Sequence, residues 1–221
     1  MLLIFDLDDT LVDTSGSTVP IKLKEALEVM INAGLRAGSF GEALNLLYGV
    51  DESSPNGEET IRRFLQKINA DSSFFALGIK GYTSAMSEET EIKPLEGAVE
   101  VLYELKQKNV LALVSKGKED LQYQKMMKAG IDKDIFAKII ITQDYNKRDK
   151  YQIVMEELHF TPKNTMVIGD KFYSDLLPAK ELGITTVQML WGRALKFPEE
   201  GADYKITQLA ELKKLVQELR P

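Results

Sequence analysis

The first eleven residues, MLLIFDLDDTL, constrain this chain more than any other stretch. Met1 to Phe5 form an apolar run too short for a helix, and β-branched Ile4 beside aromatic Phe5 marks it as a fully buried strand. Asp6, Asp8 and Asp9 follow at once, so the strand carries three carboxylates to one edge of its sheet. In open α/β sheets the carboxyl edge of the strands is where ligands bind. Carboxylates this close repel one another, and something positive, most simply a divalent cation, must settle them. Asp8 and Asp9 also suit a plain turn, as Asp often does after a strand.

Beyond Leu11 the pattern turns helical and stays so to about residue 90. Leu23, Ala26, Leu27, Met30 and Ile31 recur at helical spacing, with Pro20 near the start and Gly34 as a stop. GEALNLLYG reads as a short helix, and EETIRRFLQKINA as an amphipathic one with Ile61, Phe64, Leu65 and Ile68 on one face. SFFALGIKGYTSAM reads as a helix broken by Gly78 and Gly81. Most basic residues here, Arg62 and Arg63 among them, are expected on solvated helix faces.

At Pro94 the character changes. NVLALV, FAKIIIT, TMVIGD and ITTVQML read as strands and ADYKI as an edge strand, with helical segments between them. Such alternation predicts βαβ units and a parallel sheet. The expected architecture is α/β: a Rossmann-like parallel sheet flanked by helices, built from 1–14 and 92–221, with a smaller helical domain over 15–91. An insertion at that point would overhang the edge carrying Asp6 and Asp8 and act as a lid.

Composition narrows the function. With 221 residues, 44% apolar and 28% charged, the chain can bury one good-sized core. A net charge of −6 argues against general affinity for nucleic acid or anionic membrane. The absence of cysteine removes disulfides, thiolate metal sites and cysteine nucleophiles together. No apolar run approaches a membrane span and no signal peptide is legible, so the cytoplasm is the default expectation. The single histidine, His159, cannot build a His-rich zinc site and reads as a surface turn.

Four strand ends line up at one edge. Asp6 and Asp8 follow the first strand, and Ser115, Lys116 and Gly117 follow VLALV. Lys147 lies beyond IIIT, and Asp170 and Asp175 follow MVIG in GDKFYSD. DLDDTL matches the D-x-D-x-T signature of the haloacid dehalogenase-like superfamily, a large group dominated by phosphatases. The other three strand ends fall where that superfamily's remaining motifs do. The resemblance covers the core, 1–14 and 92–214. For 15–91 it extends to position and helical character, as in the superfamily's cap domains.

The resemblance implies a magnesium-dependent phosphatase acting on a small phosphorylated metabolite. Asp6 would be the nucleophile, forming an aspartyl-phosphate, and Asp8 the general acid and base. Magnesium would be held by Asp6, the Asp8 carbonyl and Asp170, with Asp175 supporting that shell or orienting the lysine. Ser115 would hold phosphate oxygens, with Lys116 adding positive charge beside it, as Lys171 would. Thr10 belongs to the same phosphate-binding set, bracing the Asp8 loop rather than reacting. The third motif departs from the common Lys-Pro: QDYNKRDKY offers Lys147, Arg148 and Lys150. Lys147 is favoured because it precedes the helical pattern starting near Lys150. A phosphomutase of the same superfamily, or a catalytically silent phosphate-binding regulatory protein, are the alternatives. A dehalogenase is disfavoured, since that branch needs no acid/base Asp at the position of Asp8.

Overall fold

A computed structural model describes residues 1–87, 90–196 and 200–219. Expectations that run through residues 88–89, 197–199 or 220–221 lie there outside the described residues. In chain order the elements are β1 (Leu2–Phe5), α1 (Val19–Asn32), α2 (Phe40–Asp51), α3 (Gly57–Lys67), α4 (Phe74–Tyr82) and α5 (Ala98–Lys106). Then come β2 (Val110–Lys116), α6 (Glu119–Lys128), β3 (Lys138–Thr142), α7 (Arg148–Glu157), β4 (Thr165–Gly169) and α8 (Leu177–Lys180). The chain closes with β5 (Thr185–Met189), α9 (Gly192–Lys196), β6 (Tyr204–Ile206) and α10 (Glu211–Glu218). It divides into two compact units, Met1–Thr14 with Glu91–Pro221, and Ser15–Thr90.

The described strands of the first unit form one parallel sheet in the order β3-β2-β1-β4-β5-β6. β1 lies between β2 and β4, with Phe5 level with Leu113 on one side and Ile168 on the other. The strand order reverses between β1 and β4, and in doubly wound sheets that switch point opens a crevice at the carboxyl ends. A strand there is covered on both faces, which is why LLIF carries no polar residue. Leu2, Ile4, Ala112, Val114 and Val167 pack on one face with Tyr151, Val154 and Met155 of α7 and with Leu176, Ala179 and Ile184. Leu3, Phe5, Leu111, Leu113, Met166 and Ile168 are also buried and, by strand alternation, face the other way.

The chain leaves this unit and returns to it side by side. Val12 pairs with Pro94 in an antiparallel bridge, Asp13 N donates to Lys93 O, and Leu95 N donates to Leu11 O.

The second unit has its own core of Leu23, Ala26, Leu27, Met30, Ala43, Leu47, Ile61, Phe64 and Leu65. α1 begins with Pro20 in its first turn and ends before Gly34 at φ 101°, while Ser39 and Glu42 close a reciprocal capping box on α2. Arg62 and Arg63 sit on the outer face of α3, paired with Glu58 and Glu59 one turn back. Lys22 departs from the solvated pattern of its neighbours. It is buried, and its ammonium donates to Glu25, to the Ser84 hydroxyl and to the Ser84 and Ala85 carbonyls, tying α1 to the chain that leaves α4. Among the described residues, no helix is long and apolar enough to cross a membrane.

α4 corrects the expectation of a broken helix: it runs unbroken through Gly78 and Gly81. A Cβ at Gly81 would lie 2.7 Å from Ala26 Cα and 2.9 Å from the Glu25 carbonyl oxygen, and one at Gly78 would lie 2.8 Å from Ile61 Cγ2. These glycines let α4 and α1 approach closely, and that packing outweighs their low helix propensity. Gly49 lies on the exposed side of α2, and a Cβ there would meet nothing within 4 Å. Gly49→Ala should therefore stabilise the protein by up to about 1 kcal/mol. Gly81→Ala should destabilise it by about 1–3 kcal/mol through overpacking against backbone. Chemical denaturation of both full-length variants checks this, and shifts of the same sign would remove close packing as the reason for Gly81.

Candidate active site

Asp6 is still bound into the sheet when its side chain leaves it: its N–H donates to Ile168 O at 2.9 Å. The chain then reverses tightly. Leu11 and Val12 donate to Leu7 O, and Asp9 takes φ 55° with its N–H on Val12 O. Across the switch point, β4 ends at Gly169 with Asp170 next in the chain, and a π-helical turn over Phe172–Leu176 swings Asp175 back toward the strand ends. Glycine at 169 permits this, because a Cβ there would lie 2.8 Å from Asp175 Cβ. Lys171 N–H donates to Asp175 Oδ2 at 3.0 Å and fixes the turn. Asp6, Asp170 and Asp175 are all buried, and each offers a carboxylate oxygen within 4.8 Å of the others.

Lys147 enters this cluster. Its ammonium donates to Asp6 Oδ1 at 2.7 Å and to Asp175 Oδ1 at 2.8 Å, with its side chain 1% exposed. Lys150, by contrast, is half-buried at the surface and pairs with Asp144 and Asp149. α7 begins at Arg148, two residues before the expected start, because Asn146 Oδ1 accepts the Arg148 N–H and turns the chain early. Tyr151, one turn beyond Lys147, is buried and donates its hydroxyl to Asp175 O at 3.1 Å.

The charges do not balance evenly. Burial alone would discharge Lys147, but Asp175 and Asp6 outweigh it and hold the ammonium well above the ordinary lysine range. Burial likewise works against the Asp175 carboxylate, and Lys147 and Lys171 reverse that, so Asp175 is lowered. Asp6 is raised, by burial first and by the charges of Asp175 and Asp8, with Lys147 opposing. Asp170 is raised well above its usual range: burial dominates, and Lys171, on the exposed side of its loop, offsets only part of it. Both Asp170 carboxylate oxygens are buried and accept no hydrogen bond from the described residues. A fully buried carboxylate without donors costs several kcal/mol unless a cation meets it. Three convergent carboxylates, all hard oxygen donors and one of them orphaned, fit a divalent ion such as magnesium.

Asp8 sits in different surroundings. Its Oδ1 accepts from Lys125 Nζ at 2.6 Å and from the Thr14 hydroxyl, and its Oδ2 from Gln122 Nε2 at 3.0 Å. Burial raises Asp8, but Lys125 and the Thr14 and Gln122 hydrogen bonds overcome it and bring the carboxyl down to about 2. Gln122 Nε2 also donates to the buried Ser115 Oγ at 2.8 Å. Gln122 and Lys125 lie outside what the sequence predicts for the site. Their one visible signal is an i, i+3 polar pair on the helix that follows the SKG turn, which reads as a solvated face. Thr10 is buried but its hydroxyl has no hydrogen-bond partner among the described residues, so any bracing of the Asp8 loop comes from packing. The Lys116 ammonium lies 3.4 Å from the centre of the Tyr145 ring, a cation–π contact. His159 occupies an exposed left-handed position (φ 60°) after α7.

Known proteins resemble this chain in sequence and in fold. The family model for haloacid dehalogenase-like hydrolases matches residues 3–189. A glyceraldehyde 3-phosphate phosphatase from Methanocaldococcus jannaschii is 29% identical, with 99% of this chain and 97% of that protein aligned. Another, from Pyrococcus furiosus, is 27% identical over 98% of this chain and 92% of that one. Among solved structures, the HAD-hydrolase YfnB of Bacillus subtilis, determined bound to magnesium, superposes with a TM-score of 0.66 at 18% identity, covering 97% of each chain. A Thermotoga maritima protein assigned as a β-phosphoglucomutase superposes at 0.69 with 20% identity over 99% of each, and these two likenesses establish a shared fold. With the family match spanning most of its length, the chain belongs to the haloacid dehalogenase-like hydrolases.

Proposed function

We propose that this hydrolase is a phosphatase that cleaves a small phosphorylated metabolite through an aspartyl-phosphate on Asp6. The observation that carries the reading is the buried Asp6 carboxylate, engaged by Lys147 on one oxygen and grouped with Asp170 and Asp175 at the switch point. Its relatives are named glyceraldehyde 3-phosphate phosphatases, so that triose phosphate is the first substrate to test.

Asp6 Oδ1 is held by Lys147, while Oδ2 accepts no hydrogen bond from the described residues and is the oxygen to attack phosphorus. As the Asp6–phosphorus bond forms, the bond to the leaving oxygen breaks, and that oxygen needs a proton. Asp8 supplies it, then accepts one from the water that attacks the phosphoryl group, releasing inorganic phosphate and restoring Asp6. At rest Asp8 is a carboxylate, the form that accepts a proton from water. The proton it donates first is taken up from solvent or from the phosphate monoanion of the substrate as that anion enters and, by like-charge repulsion, raises the proton affinity of Asp8. Ser115 donates to a phosphoryl oxygen, and Lys147 offsets charge there in the transition state. Asp6, Asp170, Asp175 and the Asp8 carbonyl would hold a magnesium ion, which would supply positive charge against the clustered carboxylates and the substrate phosphate. The helical unit Ser15–Thr90 takes the part of the cap expected from its position in the chain and carries specificity.

Wild-type protein should release free phosphate from glyceraldehyde 3-phosphate in proportion to substrate consumed, an outcome a phosphomutase does not give. Asp6→Asn is nearly isosteric and should leave thermal unfolding close to wild type while abolishing turnover. Retention of more than a few per cent of activity in purified Asp6→Asn would sink the mechanism.

Chelation with EDTA should silence the enzyme and magnesium restore it, with calcium a poor substitute because of its larger, looser coordination. Asp170→Asn should weaken magnesium binding measured by calorimetry, by at least tenfold. Unchanged affinity would move the ion elsewhere.

Lys147→Ala should lower kcat/KM by two orders of magnitude or more, about 3 kcal/mol of transition-state stabilisation. It should also lower the unfolding temperature, since Asp6 and Asp175 lose their buried counter-charge. Lys150→Ala should change kcat/KM only a fewfold, and a reversed ranking in steady-state kinetics would transfer the role to Lys150.

A further inference from the structure

Resting on the phosphatase reading above, we infer that Gln122 and Lys125 of α6 form a positioning clamp that aims the Asp8 carboxylate for proton transfer and, through Gln122, orients the Ser115 hydroxyl toward the phosphoryl group. Lys125 is no surface lysine: its side chain is 12% exposed, and its ammonium meets Asp8 Oδ1 at 2.6 Å. Gln122 is 1% exposed, and its amide nitrogen reaches Asp8 Oδ2 (3.0 Å), Ser115 Oγ (2.8 Å) and, more distantly, Lys116 O (3.3 Å). The two residues stand one helical turn apart on α6, so one rigid element grips both oxygens of Asp8.

Each contact fixes a degree of freedom that catalysis needs fixed. A carboxylate on a tight loop rotates about its Cα–Cβ and Cβ–Cγ bonds. Donors to both oxygens, with Thr14 as a third, hold it to one rotamer. A serine hydroxyl has one proton and two lone pairs. Because Gln122 donates to Ser115 Oγ, that lone pair is taken and the serine proton is left to point at an incoming oxygen. The Ser115 hydroxyl has no other hydrogen bond among the described residues. Glycine at 117 makes room for this: a Cβ there would lie 3.0 Å from Gln122 Cδ and 3.1 Å from its Cγ. The clamp therefore joins two tasks, placing the phosphate and protonating the leaving group, in one helix turn.

The test separates aim from mere folding by changing the leaving group. The value of kcat/KM reports the steps through expulsion of the first product. p-Nitrophenolate leaves without help, whereas the alkoxide of glycerol 3-phosphate must be protonated as it departs. If Lys125 acts through Asp8, Lys125→Met should lower kcat/KM for glycerol 3-phosphate by at least tenfold more than for p-nitrophenyl phosphate. In an Asp8→Asn background it should add less than twofold, since residues acting as a unit are not additive. Lys125→Arg should recover part of the loss. Gln122→Glu replaces a donor with an acceptor that repels Asp8 and captures the Ser115 proton, so it should raise KM as well as lower kcat for both esters. Thermal unfolding of each variant establishes that the compared proteins are folded. A loss from Lys125→Met that is equal for the two esters, or fully additive with Asp8→Asn, overturns the clamp while leaving the phosphatase reading intact. A wild-type protein inactive on every phosphomonoester overturns both.

Discussion

Negative charge packed into a buried volume is the constraint on which the rest of the molecule depends. Asp6, Asp170 and Asp175 converge beyond the paired ends of β1 and β4, and their mutual repulsion grows as water is excluded. Lys147 answers two of the three directly. To do so it must be delivered into the interior by the early turn at Asn146 and the start of α7. Gly169 and the π-helical turn then bring Asp175 within reach of that lysine. None of these local irregularities stabilises the fold by itself. They are consequences of gathering like charges around one buried cation, Lys147, with the Asp170 carboxylate unmatched by a donor among the described residues.

Two carboxylates only two residues apart are driven in opposite directions by their surroundings. Asp6 lies among anions and is pushed up, and Asp8 faces α6 and is pulled down to about 2. The tight turn from Leu7 to Val12 carries the chain away from the strand direction between them, so the two side chains meet different neighbours. In the proposed mechanism, separation of this kind lets one short segment host a group that bonds to substrate and another that handles protons.

Much of this is legible in the residues because it follows from strand ends. A buried run such as LLIF or TMVIG reveals both where a strand lies and which polar residue it delivers, so Asp6, Ser115 and Asp170 are readable together. Lys147 can be singled out from Lys150 by its place ahead of a helix, even though that helix starts two residues sooner than its pattern suggests. What periodicity cannot reveal are contacts decided by distant neighbours. Gln122, Lys125 and Lys22 look like solvated helix residues until their partners, Asp8 and the Ser84 turn, are in place. Gly78 and Gly81 look like breakers until α1 is laid against them. In each case local propensity points one way and tertiary packing overrides it.

The pairing of Val12 with Pro94 has an evolutionary consequence. The core closes its own chain at that point, so whatever lies between is a loop whose ends are already joined. Lengthening such a loop costs entropy only logarithmically, about 0.6 kcal/mol for each doubling. The helical unit Ser15–Thr90 supplies its own hydrophobic core. Inserts of quite different size can therefore be accommodated there at little entropic cost to the strand ends that the junction already fixes.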